Sequence, residues 1–187
     1  MTNFFEDLLI TKKLSFEPGK ITLMHQRELI TSALFFAEYS MRINDDQQKL
    51  RELYDAAKTS YRTGTAANLG KNYAISKDDL LQWMTNLAVL SGWGRLKWLN
   101  YMEERKSGVI LIEDLPIPAL LKGKVSGCVD HIARGFIAGG ASAMLNTDLD
   151  CVEEECIAMG APACKFVFMP KELFKASPEA TRQLGIK

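Results

Sequence analysis

Residues 149–169 read LDCVEEECIAMGAPACKFVFM. Two runs of strand character, about Leu149 to Ala158 and Cys164 to Met169, flank Met159-Gly160-Ala161-Pro162-Ala163, whose Gly and Pro supply turn chemistry. A loop this short pairs its strands antiparallel. Cys156 and Cys164 bracket a seven-residue loop, so a modest bend brings both sulfurs to one point above the sheet. Acidic residues crowd the same place: Asp148, Asp150, Glu153, Glu154 and Glu155. Cys128 lies farther back and offers a third sulfur. Three thiolates with one carboxylate, or four thiolates, suit zinc, and iron is the other metal open to such a set. Reduced, buried thiols that merely pack are the competing reading, because no CxxC pair is present. Plain alternation along a strand selects Glu154, two residues before Cys156, as the carboxylate on its face. Cys151 is a fourth thiol able to take the carboxylate's place, and His131 a further candidate ligand.

Working back from the hairpin, Val125 to Leu145 is rich in small and apolar residues, with Val129, Ile132, Ala133, Phe136, Ile137 and Ala141 among them. It reads as a nearly buried helix. Gly135, Gly139 and Gly140 each cost it about 1 kcal/mol relative to Ala, a cost usually offset by close approach of another backbone or of a ligand. Arg134 needs a partner there, and the acids near Glu153 are the obvious ones. Leu115-Pro116-Ile117-Pro118 reads as an extended connector. Leu96–Trp98 and Val109–Ile112 are antiparallel strands around the charged turn 103–108.

Three helices precede them. The first carries Leu29, Ile30, Ala33, Leu34, Ala37 and Met41 and ends near Asn44. The second carries Leu50, Leu53, Tyr54, Ala57 and Tyr61 and ends near Gly64 or Gly70. The third is opened by Ser76 with Asp79, faces inward with Leu80, Leu81, Met84, Leu87, Val89 and Leu90, and stops at Gly92-Trp93-Gly94. Leu14 to Leu23 is a hairpin turning at Glu17-Pro18-Gly19-Lys20, and His25 just past it is read as exposed or turn-bonded. After Pro170 the chain reads as a polar tail. Trp83, Trp93, Trp98, Phe36, Tyr101 and Phe136, together with Phe35, can line an apolar cavity floored by the small residues at Gly135, Gly139 and Gly140. For any single one of these aromatics core packing is the simpler reading.

Composition narrows the function classes. The 187 residues carry 23 basic and 23 acidic side chains and are 47% hydrophobic, so one globular domain over 1–187 with a full core is expected. Zero formal charge without a basic run argues against nucleic acid as partner. No window approaches ~18 apolar residues and the start lacks signal-peptide features, so no membrane insertion and a cytoplasmic location are expected. In that reducing setting the four cysteines are free thiols or metal ligands rather than disulfides. Neither G-x-G-x-x-G nor a P-loop occurs, since Gly123-Lys124-Val125-Ser126 lacks the upstream Gly.

Cys128 ahead of a Gly-containing helix, then Glu153-x-x-Cys156-x-x-Met159-Gly160, then Cys164-Lys165-Phe166, resembles the 4-vinyl reductase domain family over about residues 21–169. That family is similar to the sensor domains of aromatic-responsive transcription regulators and to a protein of bacteriochlorophyll vinyl reduction. It shares a fold with haem-nitric-oxide-associated and trafficking-complex subunits. The resemblance implies an α+β domain with an antiparallel sheet packed by helices, often a homodimer, with a small hydrophobic pocket beside a structural zinc. Carried over by residue, the ligands are Cys128, Glu153, Cys156 and Cys164. Glu153 and Cys156 are three apart, so sharing a metal requires a bulge between them.

The leading expectation is therefore a sensor-type domain that holds a small apolar or aromatic, hydrocarbon-like ligand, more a binding module than an enzyme. The aromatic-sensing relatives continue into output domains; this chain stops at Lys187, so output through a protein partner or a change of association is expected. Two alternatives stand beside it: a reductase of a vinyl group on a tetrapyrrole-like substrate, and a ligand-free assembly subunit.

Overall fold

Alternation around Pro18-Gly19 does produce antiparallel strands, β1 (Leu14–Glu17) and β2 (Lys20–Leu23), with Glu17 opposite Lys20 and Gly19 at φ +70° in the turn. In the computed structural model, which describes residues 4–66 and 77–186, a third strand β3 (Gln26–Glu28) extends this hairpin into a meander. His25 sits exposed in the β2–β3 turn at φ +68°. A short helix α1 (Phe4–Ile10) precedes the meander.

Helix α2 (Ala33–Ile43) starts four residues later than the apolar spacing suggests. The Ser32 hydroxyl accepts from the Leu34 N–H at 3.2 Å and caps the helix there, which leaves Leu29 and Ile30 outside it and facing solvent. In α3 (Gln47–Ser60), capped by Asp46 through the Lys49 N–H, the expected stripe is buried at Leu50, Tyr54 and Ala57. A π-helical turn, Tyr61–Thr65, prolongs α3 past Gly64; Gly70 lies outside the described residues. Helix α4 (Lys77–Leu90) buries Met84 and Leu87. Its proposed cap Ser76 lies outside the described residues, and Val89 faces solvent rather than the core.

Strands β4 (Arg95–Met102) and β5 (Ser107–Glu113) pair as expected. Only Leu115 of the expected connector 115–118 is extended; the residues after it are helical. They open a short helix α5 (Pro116–Leu120), because proline at the first helical position has a suitable φ and lacks only an N–H that a helix start leaves unpaired; Ile117 and Pro118 anchor it in the interior.

The apolar stretch before Leu145 becomes α6 (His131–Leu145), shorter than read because Asp130 takes the cap position and accepts from the Ala133 N–H at 2.8 Å. Residues 125–130 lead into it as a loop. A Cβ built on Gly135 would lie 2.6 Å from the Tyr54 carbonyl, and one on Gly139 2.3 Å from the Lys58 carbonyl. The glycines of α6 thus let it meet the α3 backbone directly. Strands β6 (Asp150–Glu155) and β7 (Cys164–Met169) complete a four-stranded antiparallel sheet in the order β4-β5-β7-β6. Helix α6 packs against α3 and against β6 and β7. The segment after Pro170 is more than a tail: it forms α7 (Pro178–Leu184), whose Ala180 and Leu184 bury Val152 of β6. The architecture is α+β, with seven α-helices and two antiparallel sheets among the described residues.

Candidate metal centre

The register of β6 on β7 decides which carboxylate meets the sulfurs. Glu153 pairs with Phe166, but Lys165, one residue along β7, pairs with Glu155, so Glu154 is the extra residue of a β-bulge. The bulge turns Glu153 and Cys156 to one side. Glu153 is wholly buried, whereas Glu154 points to solvent and pairs with Lys165 at 2.9 Å. Simple alternation therefore chooses the wrong glutamate, and the strand irregularity explains why.

Ligand atoms of Cys128, Glu153 and Cys156 lie within 4.8 Å of one another, all three residues being buried. Cys164 is not one of this group of three, although its sulfur neighbours that of Cys156; the Ile157 N–H donates to the Cys164 sulfur at 3.3 Å. The four side chains come from three places. Cys128 stands in the loop before α6, its carbonyl held by Arg182 of α7 at 2.6 Å. Glu153 and Cys156 straddle the bulge, and Cys164 opens β7. All four cysteines are free thiols.

The polar accounting within this cluster is incomplete. The Asp130 N–H donates to Glu153 Oε2 at 3.0 Å, but the buried Oε1 has no partner, an arrangement that ordinarily costs free energy. Hydrogen bonds from Cys128 and Cys164 hold the Cys156 thiol far below its usual range, which in turn raises the other two thiols. Burial, with Cys156 and Asp130 beside it, pushes the Glu153 carboxyl well up. Anionic or lone-pair-bearing atoms converge, with the N–H groups of Asp130 and Ile157 donated to them, which is the donor chemistry of a soft divalent cation.

Two of the other candidates lie elsewhere. Among the described residues, Cys151 is not part of this group. It is fully buried in the main core, and burial pushes its thiol up. His131 turns Nδ1 to Arg134 at 2.8 Å and likewise stands outside the group.

Arg134 does not pair with the acids near Glu153. Its Nε donates to the Cys151 carbonyl at 2.9 Å and its guanidinium lies 4.5 Å from the Tyr54 ring centre. β6 is an edge strand, and its outward backbone groups are capped by side chains. The Tyr54 hydroxyl accepts from the Cys151 N–H at 3.2 Å, and the Gln183 amide accepts from Glu153 N–H and donates to Glu153 C=O, both at 2.8 Å. Tyr54, Arg134 and Gln183 thus hold the strand that presents Glu153. Local sequence marks Arg134 as in need of a partner and Tyr54 as buried, but not that either serves the edge of β6.

Of the aromatic residues read as pocket lining, Phe36, Trp83, Trp93, Trp98, Tyr101 and Phe136 are partly buried against the main core, whereas Phe35 faces solvent. Trp93 meets Phe136 edge-on at 5.2 Å and Trp98 meets Tyr101 at 6.0 Å, while the Trp98 ring N–H donates to Thr85 at 3.0 Å. Gly139 is no cavity floor: it faces the α3 backbone, and Gly140 faces Met84 and Tyr61.

No family model matches the chain, and no curated protein matches it. Solved structures do. The phenol-responsive sensory domain of the transcription activator PoxR, with phenol, superposes with a TM-score of 0.70 at 18% identity, over 99% of this chain and 98% of that one. The chain has the fold of that sensory domain. A vinyl-4-reductase family protein from Methanocaldococcus jannaschii matches with a TM-score of 0.51 at 15% identity, covering 90% of this chain and 95% of that one. A trafficking protein particle complex subunit 3 from Naegleria fowleri, covalently bound to palmitic acid, matches with 0.52 at 12% identity, covering 77% and 95%. The likeness to the 4-vinyl reductase group and to aromatic-responsive sensor domains holds at the level of fold, and it extends over nearly the whole chain. None of the described helices is long and apolar enough to cross a membrane.

Proposed function

We propose that this chain is a sensor-type domain that holds a small aromatic molecule, with a structural zinc bound by Cys128, Glu153, Cys156 and Cys164. The observation that carries the metal assignment is the buried, unpartnered Oε1 of Glu153 among converging sulfurs. Four protein ligands leave no open position for water, so the ion supplies cross-linking rather than a nucleophile. Cys128 would tie the start of α6 to the β6–β7 hairpin, and loss of metal loosens the C-terminal third. The small-molecule part rests on the fold shared with a phenol-responsive domain. Its site lies among Trp83, Trp93, Trp98, Phe36, Tyr101 and Phe136, where half-buried rings from α2, α4, β4 and α6 gather against the core. Homodimerisation is part of the same reading, with Leu29, Ile30 and Phe35 exposed at 85%, 83% and 63% as its apolar face.

The experiment is metal analysis of protein purified without chelator, beside Cys156→Ser and Glu153→Gln. About one zinc per wild-type chain and a large loss in both variants is the expected result. Equal metal content in all three refutes the centre. In parallel, phenol raises the melting temperature and perturbs tryptophan fluorescence. Zinc-loaded protein with no response to phenol or to related aromatics refutes the sensor reading and leaves the metal centre standing.

A further inference from the structure

A cavity of about 380 Å³ opens where the first turns of α3 and α6 meet the last turn of α7. Arg51, His131, Arg134, Arg182 and Gln183 line it, so three guanidinium groups share one concavity. None of these residues belongs to the proposed metal centre or to the aromatic cluster; His131, a candidate ligand by sequence, stands outside the metal group.

The state of His131 follows from its neighbour. An arginine has only donors, so the 2.8 Å contact between Arg134 and His131 Nδ1 makes Nδ1 the acceptor and places the ring proton on Nε2. Burial, with Arg134 and Arg182 nearby, also keeps this imidazole neutral. His131 is 4% exposed and its Nε2 has no partner. The N–H is therefore a buried donor without an acceptor. Arg134 is in the same position as regards charge: it is 1% exposed, and among the described residues no carboxylate lies within 4.0 Å of its nitrogens. Its terminal NH2 reaches the Gln183 carbonyl only at 3.4 Å. Arg182 is paired with Glu179 at 2.9 Å, and Arg51 approaches Asp55 no closer than 4.0 Å. Three guanidinium groups are thus matched by two carboxylates, Asp55 and Glu179, with Arg182 also donating to the Cys128 carbonyl at 2.6 Å and Arg51 to the Leu184 carbonyl at 3.5 Å.

We infer that this cavity binds a small oxyanion, a carboxylate or a phosphate group, through the His131 Nε2–H and the guanidinium groups of Arg51, Arg134 and Arg182. Planar guanidinium forks suit either group. The inference stands apart from the aromatic-sensing reading and from the zinc centre, and neither is needed for it.

Calorimetric titration of the purified full chain in a Tris–chloride buffer tests it, with inorganic phosphate and acetate as separate probes and with Arg51→Gln and His131→Phe beside the wild type. Saturable binding of at least one probe is expected, weakened several-fold by Arg51→Gln and about tenfold or more by His131→Phe. Binding of phosphate alone assigns a phosphorylated compound, and binding of acetate alone a carboxylic acid; both support the site. Absence of saturable heat with either probe at millimolar concentration overturns it, as does binding to both variants at wild-type strength. Arg51 is about half exposed, so its variant keeps the fold and the test remains decisive if His131→Phe does not.

Discussion

Two adjacent glycines of α6 offer a controlled perturbation of the crossing of α3 and α6. Substitution by alanine gains about 1 kcal/mol of helix propensity at either position. The surroundings differ. At Gly139 the new methyl would stand 2.3 Å from the Lys58 carbonyl oxygen and 3.1 Å from the Arg62 nitrogen. Ordinary contact needs roughly 1 Å more, and both obstacles are backbone, so α3 and α6 must separate along their crossing. At Gly140 the nearest atom is the Met84 terminal methyl at 2.7 Å, the end of a flexible side chain that can swing aside. Overpacking of this severity costs about 1–3 kcal/mol or more and outweighs the propensity gain at Gly139. Gly139→Ala is therefore expected to lower stability by about 2 kcal/mol, or about 4–8 °C in melting temperature, while Gly140→Ala changes it by less than about 2 °C. Thermal and urea unfolding followed by circular dichroism read both. Equal effects in the two variants, or a stabilised Gly139→Ala, would show that the α3–α6 backbones do not touch there.

Two further outcomes concern the buried tyrosines Tyr54 and Tyr61. Tyr54→Phe removes the hydroxyl that donates to Asp150 at 2.8 Å and accepts from the Cys151 N–H; a loss of about 1–3 kcal/mol in urea unfolding is expected, with Tyr39→Phe on the exposed side of α2 near zero. In alkali, burial holds the Tyr61 phenol up to about 12 and raises Tyr54 further. Because these folded values exceed the ordinary value of 10.0, their contribution is intact below that pH. It is lost as pH rises through the folded value, so the melting temperature falls between those limits. Absorbance at the tyrosinate band checks the order. Titration of all tyrosines together near the ordinary value, with no fall in melting temperature, contradicts the buried placement.

The cysteine constellation is legible in the sequence because two of its members flank a short loop, and a hairpin brings such residues together whatever the rest of the chain does. Helical periodicity likewise locates the buried faces of α3 and α6, since their apolar stripes answer to local geometry. The choice between Glu153 and Glu154 is not legible in local alternation, and only the family resemblance points to Glu153. Three consecutive glutamates carry no mark of which is extruded, and the bulge that extrudes Glu154 is a property of the pairing with β7. Helix α7 has a signal that a reading for long amphipathic stretches passes over: Ser177 caps it through the Ala180 N–H, and Pro178 stands in its first turn. What no local pattern discloses is its purpose. Gln183 acts as a substitute strand for the open edge of β6, and Arg182 restrains the carbonyl of Cys128. The buried Arg134 belongs to the same logic. An ion pair is the natural expectation for a cation in an apolar helix, yet a strand edge facing the interior leaves carbonyls that demand donors, and Arg134 Nε meets that of Cys151. Once the edge is satisfied in this way, the remaining donors of Arg134 and of its neighbour His131 are left facing the cavity beneath α7. The proposed oxyanion site is thus a consequence of how the edge strand is sealed, and sealing by a neutral donor would not have created it.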